Sequence, residues 1–502
     1  MSLICSYNVS TRSRYNEKVL VMRKVPEMHK FGLCLLVSVA LSACAVGPDY
    51  KKPAINSPAK FKEDNTWIKA APLAVPYQGD WWRVFGDAEL NKLEPRVVAA
   101  NQSLQASFYT YQQALALTDS ARAGEFPTLS ASVTSTRSAN AISTIGGVST
   151  TTISGQSVGL TASWVPDFWG KVGRQVEADE ANAESSRETL INAQLSLEST
   201  LAQDYFQIRQ IDSQIGLAED TVSADQKSLE MTQNRYNSGV STQADVAQAQ
   251  LQLSNAKVQL IGLNLQRAQL EHAIAVLVGE APSTFILAPL LGMPSPQAVP
   301  VGLPSQLLLQ RPDLIAAERQ VAAANAQIGV AQSAYFPSLT LSATGGYRNN
   351  AFPNIISASN LFWSAGPSLA MTLFDGGARS AAKAQAQSAY KQIVAQYRQL
   401  SLQAIQQVED QLTALTTLTN EATMQQQAVA AAEESLRLVT NQYKAGIVSY
   451  LNVITAQTAS YTARNTALQI AGQQLVANVA LIQALGGGTN TSDSKVEVPV
   501  VQ

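Results

Sequence analysis

Four stretches of the chain alternate polar and apolar residues one by one. Residues 128–134 read Thr-Leu-Ser-Ala-Ser-Val-Thr, and from Ser157 to Trp164 the apolar positions Val158, Leu160, Ala162 and Trp164 share one parity. Leu339, Leu341, Ala343 and Tyr347 alternate with Ser338, Thr340, Ser342 and Thr344. Trp363, Ala365, Leu369, Met371 and Leu373 alternate with Ser364, Ser368 and Thr372. A two-residue period puts each apolar set on one face of a strand. The pattern predicts strands at about 128–137, 157–164, 338–347 and 362–373. When tilted, each could cover the apolar band of a membrane barrel.

Elsewhere the period becomes helical. Leu201, Ile208, Ile215, Val222, Leu229 and Tyr236 recur every seven residues, as do Ile454, Tyr461, Leu468, Leu475 and Ile482. Seven-residue spacing marks coiled-coil packing, with abundant Ala and Gln permitting close contact and a wet opposite face. Residues 378–445 contain neither Gly nor Pro over 68 positions, room for a helix of about 100 Å.

The chain also repeats itself. Tyr236-Asn237-Ser238-Gly239, Asp245-Val246 and Ala249-Gln250 return as Tyr443-Lys444-Ala445-Gly446, Asn452-Val453 and Ala456-Gln457, each 207 positions later. Phe126-Pro127-Thr128-Leu129 returns as Phe336-Pro337-Ser338-Leu339, and Gly279 as Gly486. An ordered series at nearly constant offset is a tandem duplication. The first repeat spans 81–282 and the second 305–488, followed by a disordered polar tail at 489–502. Pro282, Pro289, Pro294, Pro296, Pro300 and Pro304 mark an extended linker at 283–304.

At the N-terminus, Arg23, Lys24 and Lys30 precede an eleven-residue apolar run at 31–41. It is too short to span a bilayer but suits the core of a signal peptide. Leu41-Ser42-Ala43-Cys44 resembles a bacterial lipobox, whose cysteine thiol receives diacylglycerol. Residues 1–43 are therefore expected to be a leader, with Cys44 the lipidated first residue of a segment at 44–80. Residues 1–21 fit no part of a leader, which points to Met22 or Met28 as the working start.

Composition removes whole classes of function. Charged residues make up 14% of the 502, against about 25% in ordinary soluble proteins. A net charge of -2 leaves no footprint for nucleic acid. With Cys5 and Cys34 lost in the leader, Cys44 has no disulfide partner, and His272 is the one histidine left, a structural residue inside a helical pattern. Neither a metal site nor a cofactor is expected beyond the lipid on Cys44. Asp375-Gly376-Gly377 and Asp167-Phe168-Trp169-Gly170 read as strand-to-helix turns, Gly486-Gly487-Gly488 as a helix cap, and Asp212, Glu219, Asp220 and Asp225 as a solvated acidic face.

Four strands cannot close a transmembrane barrel, because such barrels begin at about eight. Unclosed strands in lipid would leave backbone groups unpaired. Two, three or four copies of the chain must then share one barrel, and periodicity leaves the number open.

Several motifs, in order, resemble the lipoprotein branch of TolC-like outer-membrane efflux factors. They are Cys44-Ala45-Val46-Gly47-Pro48-Asp49-Tyr50, Trp81-Trp82-Arg83-Val84-Phe85-Gly86-Asp87, Arg311-Pro312-Asp313-Leu314, Ala334-Tyr335-Phe336-Pro337-Ser338-Leu339, Leu373-Phe374-Asp375-Gly376-Gly377 and the two Tyr-x-x-Gly segments. The resemblance covers nearly all of residues 44–488. It implies an α+β membrane protein, a homotrimer whose four strands per chain share a twelve-stranded β-barrel. Long antiparallel helices would form a periplasmic α-barrel. It further implies a passive, non-enzymatic outer-membrane duct that partners a periplasmic adaptor and an inner-membrane pump of the resistance–nodulation–division class, exporting drugs or toxicants. Ala45, where Asp would favour inner-membrane retention, agrees with outer-membrane placement. A duct for protein secretion and a structural envelope lipoprotein are the alternatives.

In this family the tunnel closes near the Tyr-x-x-Gly turns, which here are Tyr236, Gly239, Tyr443 and Gly446, with Asp245 just beyond the first. After the second turn, Thr455 and Thr458 stand where an acidic residue and an Arg are common. The expected closure is therefore apolar and centred on Leu451.

Overall fold

The computed structural model describes residues 46–55, 61–62, 80–145, 147–294 and 310–487, all within the compact unit Val46–Gln502. The leader, Cys44, most of 44–80, linker residues 295–304 and the tail at 489–502 lie outside the described residues.

The duplication is visible in matched element lengths. After a short 3-10 turn at Trp81–Phe85 and α1 (Leu90–Ala100), the first repeat runs α2 (Gln102–Ala123), β1 (Thr128–Thr144), β2 (Gly147–Trp164), α3 (Lys171–Asn237) and α4 (Gln243–Leu277). The second runs α5 (Pro312–Ser333), β3 (Ser338–Asn349), β4 (Leu361–Ala370), α6 (Ala378–Lys444) and α7 (Tyr450–Ala484). Helices α2 and α5 both have 22 residues, α3 and α6 both 67, and α4 and α7 both 35. At 1.5 Å per residue the longest pair reaches about 100 Å.

The strands form one antiparallel sheet in the order β1-β2-β3-β4. Its register sorts the side chains cleanly. Val133 pairs with Val158, which pairs with Tyr347, which pairs with Leu361. Leu129 lies opposite Ala162, Ala343 and Ala365 in the same way. One whole face is thus apolar, and it is uncovered: Val133 is 68% exposed and Trp363 78%. The opposite face is almost entirely Ser, Thr and Gly.

The strand bounds differ from the expected ones. β1 runs on to Thr144 rather than 137, and β2 starts at Gly147 rather than 157, because Ser-, Thr- and Asn-rich residues continue the hairpin. That outer half has no apolar parity, so hydrophobic alternation does not reveal it, although its Thr residues favour strand. Pairing of β2 with β3 stops at Gln156 and Asn349, so among the described residues the hairpin beyond has no third strand. β3 continues to Asn349, while β4 occupies Leu361–Ala370, ending short of 373.

Each strand-to-helix junction is held by an aspartate. Asp167 accepts from the backbone N–H of Gly173 (2.8 Å), and Asp375 from those of Gly377 (3.0 Å) and Arg379 (3.1 Å). These bonds satisfy N–H groups that a helix start leaves orphaned. The turn reading of both Asp-Gly segments holds. Exposed aromatics gather at the same level, Phe126, Phe168, Tyr335, Phe336 and Phe374 among them, as they do at a membrane interface.

The main core lies where the C-terminal ends of α4 and α7 pack against the middle of α3 and α6. Trp81 and Phe85 pack there with Leu201, Tyr205, Phe206, Ile208, Leu475 and Ile482. Trp81 donates to Glu198 (3.1 Å), and Asp87 caps α1 while accepting from Tyr205 (2.7 Å). Glu94 is fully buried close to Glu198. Burial pushes its carboxyl up to about 10, and that of Glu198 to about 7. What these protonated carboxyls contribute to stability is present at low pH and lost as pH rises through those values. Within the second repeat Arg311 ties three elements together, bonding Asp313 (2.7 Å), Gln407 of α6 (2.9 Å) and the Ala484 carbonyl at the end of α7 (2.8 Å).

Two members of the expected solvated acidic face are buried instead. Asp212 accepts from Arg209 (2.8 Å), Arg267 (2.7 Å) and the Leu290 backbone N–H (3.0 Å), tying α3 and α4 to the start of the linker. Asp225 is likewise buried, whereas Glu219 and Asp220 are exposed. Asp212 and Glu219, seven residues apart, fall on nearly the same face of α3 and still differ, because Arg209, Arg267 and the Leu290 backbone close over Asp212. Removing one partner of a buried ion pair costs about 3–5 kcal/mol. Asp212→Ala should therefore lower the thermal midpoint followed by circular dichroism in detergent far more than Asp220→Ala. Equal effects would contradict the network.

Candidate functional site

Two features can carry function: the helix turns and the two-faced sheet. The turns share one backbone design. Gly239 and Gly446 both adopt φ +76°, the left-handed region that only glycine enters without penalty. Val240 N–H bonds the Arg235 carbonyl and Ile447 N–H the Gln442 carbonyl, each at 2.9 Å, closing both helix ends alike.

The side chains break this symmetry. Asp245 completes a capping box with Thr242, accepting from its backbone N–H (3.0 Å) and hydroxyl (2.9 Å) and from Ser241 (2.8 Å). The Thr242 N–H, those hydroxyls and nearby Arg235 hold its carboxyl below the usual range. Its counterpart in the second repeat is Asn452, and Ser449 there makes no side-chain cap. Asp245 thus serves its own helix start.

Tyr443 is buried, its ring 5.4 Å from Tyr450 and 4.8 Å from the Arg235 guanidinium. Ala249, Val453, Leu229 and Val448 complete this small core, which ties the two turns together. Tyr236 is 40% exposed. The difference has a local cause: Tyr450 stands where the first repeat has Gln243, so Tyr236 lacks the aromatic partner that covers Tyr443. Leu451, Thr455 and Thr458 lie outside that core on one exposed face of α7, three to four residues apart. Cys44 lies outside the described residues.

Sequence reading missed Arg235 and Tyr450, and it placed Asp225 on a solvated face. The first two could have been flagged as positions where otherwise matched repeats differ. Asp225 is 1% exposed and neither of its oxygens has a hydrogen-bond partner. It faces the α7 side, within electrostatic reach of the Tyr450 phenol, and Gln457 donates to neighbouring Ser228 (3.3 Å). Burial alone pushes its carboxyl up to about 6.

The sheet supplies the second feature. Its apolar face matches hydrocarbon and its Ser/Thr face matches water, while β1 and β4 each present an edge unpaired within the chain. Such an arrangement can line a water-filled passage once the edges are joined.

Known proteins share this architecture. A family model described as outer membrane efflux protein matches residues 95–280 and 303–487. The cation efflux system protein CusC of Escherichia coli K12 is 30% identical over 456 residues, covering 90% of this chain and 98% of that protein. The pyoverdine export outer membrane protein OpmQ of Pseudomonas aeruginosa is 29% identical over 464 residues, 91% and 95% of the two chains. The solved structure of the outer-membrane channel OprN superposes with a TM-score of 0.81 at 26% identity, covering 88% of this chain and 99% of that one.

The tip carries a pH dependence. A raised carboxyl stabilises the fold below its ordinary range, and that contribution is lost as pH rises through about 6. Asp225→Asn should melt above the wild type at pH 8, with the gap narrowing toward pH 4. A gap that is constant across that range would contradict a buried, titrating Asp225.

Proposed function

The chain belongs to the outer membrane efflux protein family, and we propose that it is a passive duct carrying small toxic molecules out of the cell. It is the outer-membrane channel of a tripartite efflux system, a trimer that meets a periplasmic adaptor and an inner-membrane pump.

The observation that carries this reading is the four-stranded sheet with two open edges, one apolar face and one polar face. Joining β4 of one protomer to β1 of the next, three times, closes twelve strands and leaves no unpaired edge in lipid. The polar face then lines water. Below the membrane, helices of about 100 Å extend into the periplasm. Leu251, Val258 and Leu265 of α4, at heptad spacing and 60–67% exposed, form an apolar row suited to a neighbouring protomer.

The lipid on Cys44 fits this placement. Val46 N–H bonds the Trp169 carbonyl at the strand-to-helix junction (3.2 Å). Arg174 holds Asp49 (3.1 Å) and Asn325 the Pro48 carbonyl (2.8 Å). Two residues of chain span at most about 7 Å, so an acyl anchor on Cys44 would enter the leaflet at the junction's level. Conduction asks no bond chemistry of the chain, and the pump supplies the energy. Relatives named for a cation and for pyoverdine on one duct architecture fit selection of cargo mainly by pump and adaptor.

Deleting the gene should raise susceptibility across a panel of metals, dyes and antibiotics, with full rescue by the wild type and reduced rescue by Cys44→Ser. Unchanged susceptibilities, with a secreted protein trapped in the cell, would overturn small-molecule efflux.

The tip is the proposed gate. The Tyr443–Tyr450–Arg235 core holds each protomer's two helix pairs together, and the exposed Leu451 side chains of three protomers close the aperture. Truncating Leu to Ala in a full core costs about 2–5 kcal/mol, less at a pore-facing ring. Leu451→Ala should raise resting conductance in planar bilayers, whereas Thr455→Ala should change it little. Unchanged conductance in Leu451→Ala, with opening by Asp245→Ala, would make the closure electrostatic.

A further inference from the structure

The exit end of the duct carries an unbalanced charge. Residues 126–166 and 335–374, which hold all four strands and the loops that join them in pairs, contain Arg137 and Arg348 but no Asp, Glu or Lys. The register separates the two arginines. Arg137 shares parity with Leu129 and Val133, which puts it on the outward face, opposite Ser154 and beyond the pairing of β2 with β3. Arg348 pairs with Ser157 and shares parity with Ser342 and Thr344, which puts it on the polar, inward face. It sits one residue from the last rung of that ladder, Gln156 with Asn349.

Arg348 does not sweep freely through the lumen. Its guanidinium lies 4.7 Å from the centroid of the Phe362 ring, a cation–π distance. Phe362 is an aromatic on a face otherwise made of Ser, Thr and Gly, and glycines explain how it fits. It pairs with Gly346, where a Cβ would come within 2.2 Å of the Val158 carbonyl oxygen. A Cβ at neighbouring Gly159 would lie 3.6 Å from the ring's tip. The ring thus lies beside two glycines, of which Gly346 has no room for a side chain, and the guanidinium rests on the ring.

We propose that Arg348, seated on Phe362, is a selectivity residue of the exit, favouring cargo that leaves as an anion. This rests on the trimeric-duct reading, which sets three such pairs around one lumen. Three fixed cations within low-dielectric walls, with no carboxylate on the same strands, raise the local concentration of anions. The chemistry that suits the ring is a carboxylate, phenolate or phosphate group, and Phe362 offers an apolar surface to an aromatic scaffold attached to it. A metal would pass more readily as an anionic complex than as a bare cation.

The test is the reversal potential of purified trimers in planar bilayers under a KCl gradient, with native gels confirming assembly of each variant. Arg348→Gln should lower the chloride-to-potassium permeability ratio several-fold. Arg348→Glu should lower it further, toward cation preference, and Arg348→Lys should keep the wild-type ratio. The shifts should shrink at high salt, where screening is short-ranged. Assembled Arg348→Glu trimers with the wild-type reversal potential would overturn the proposal and leave the duct reading intact. Wild-type protein that forms no conducting trimer would overturn the duct itself and the proposal with it.

Discussion

Hydrocarbon offers a backbone no hydrogen-bond partner, and the rest of this molecule is arranged around that constraint. Within one protomer, β1 and β4 each expose a row of N–H and C=O groups, so the sheet is incomplete alone. Trimerisation completes it. Once three sheets close, the face carrying Val133, Leu160 and Trp363 meets lipid, the Ser/Thr face meets water, and the aromatics near Phe126 and Phe336 fall at the interface. The helices hang from this ring through junctions capped by Asp167 and Asp375.

Duplication explains both the symmetry of the helical body and its departures from it. Each repeat supplies a hairpin, a 67-residue helix and a 35-residue helix. The two positions are not equivalent in the protomer. α3 packs extensively against α2, α4, α5 and α7, whereas α6 packs extensively against α5 and α7 and meets α3 at the tip through Arg235 and Tyr443. A central helix can afford buried charge only if it is answered: Asp212 has two arginines, and Asp225 has none. Asp225 therefore holds its proton to a higher pH than an exposed aspartate would.

The turns show how matched backbones come to do different work. Gly239 and Gly446 shape both in the same way, yet one tyrosine is buried and the other exposed. A tip built this way has a rigid side, where Tyr443, Tyr450 and Arg235 interlock, and a more open side around Tyr236. Movement between helix pairs would be resisted mainly on the rigid side.

The strands, the long helices, the duplication and the need for several copies were legible in the sequence, because each is a matter of local periodicity or of arithmetic on a strand count. Residues 128–134 alternate whether or not a partner is known, and 68 residues without Gly or Pro are far too long for a strand. What remained hidden depended on neighbours distant in the chain. The outer half of the β1–β2 hairpin lacks alternation, so its extent emerges only from the pairing of the two strands. The acidic residues of α3 divide into buried and exposed according to what packs over each one, as Arg267 and Leu290 do over Asp212. Tyr443 and Tyr236 sit in near-identical local sequences and differ in burial through Tyr450, and Arg348 gains its fixed position from Phe362 on the neighbouring strand. Periodicity records which side of an element prefers water, but the identity of what packs against that side is settled only when the elements come together.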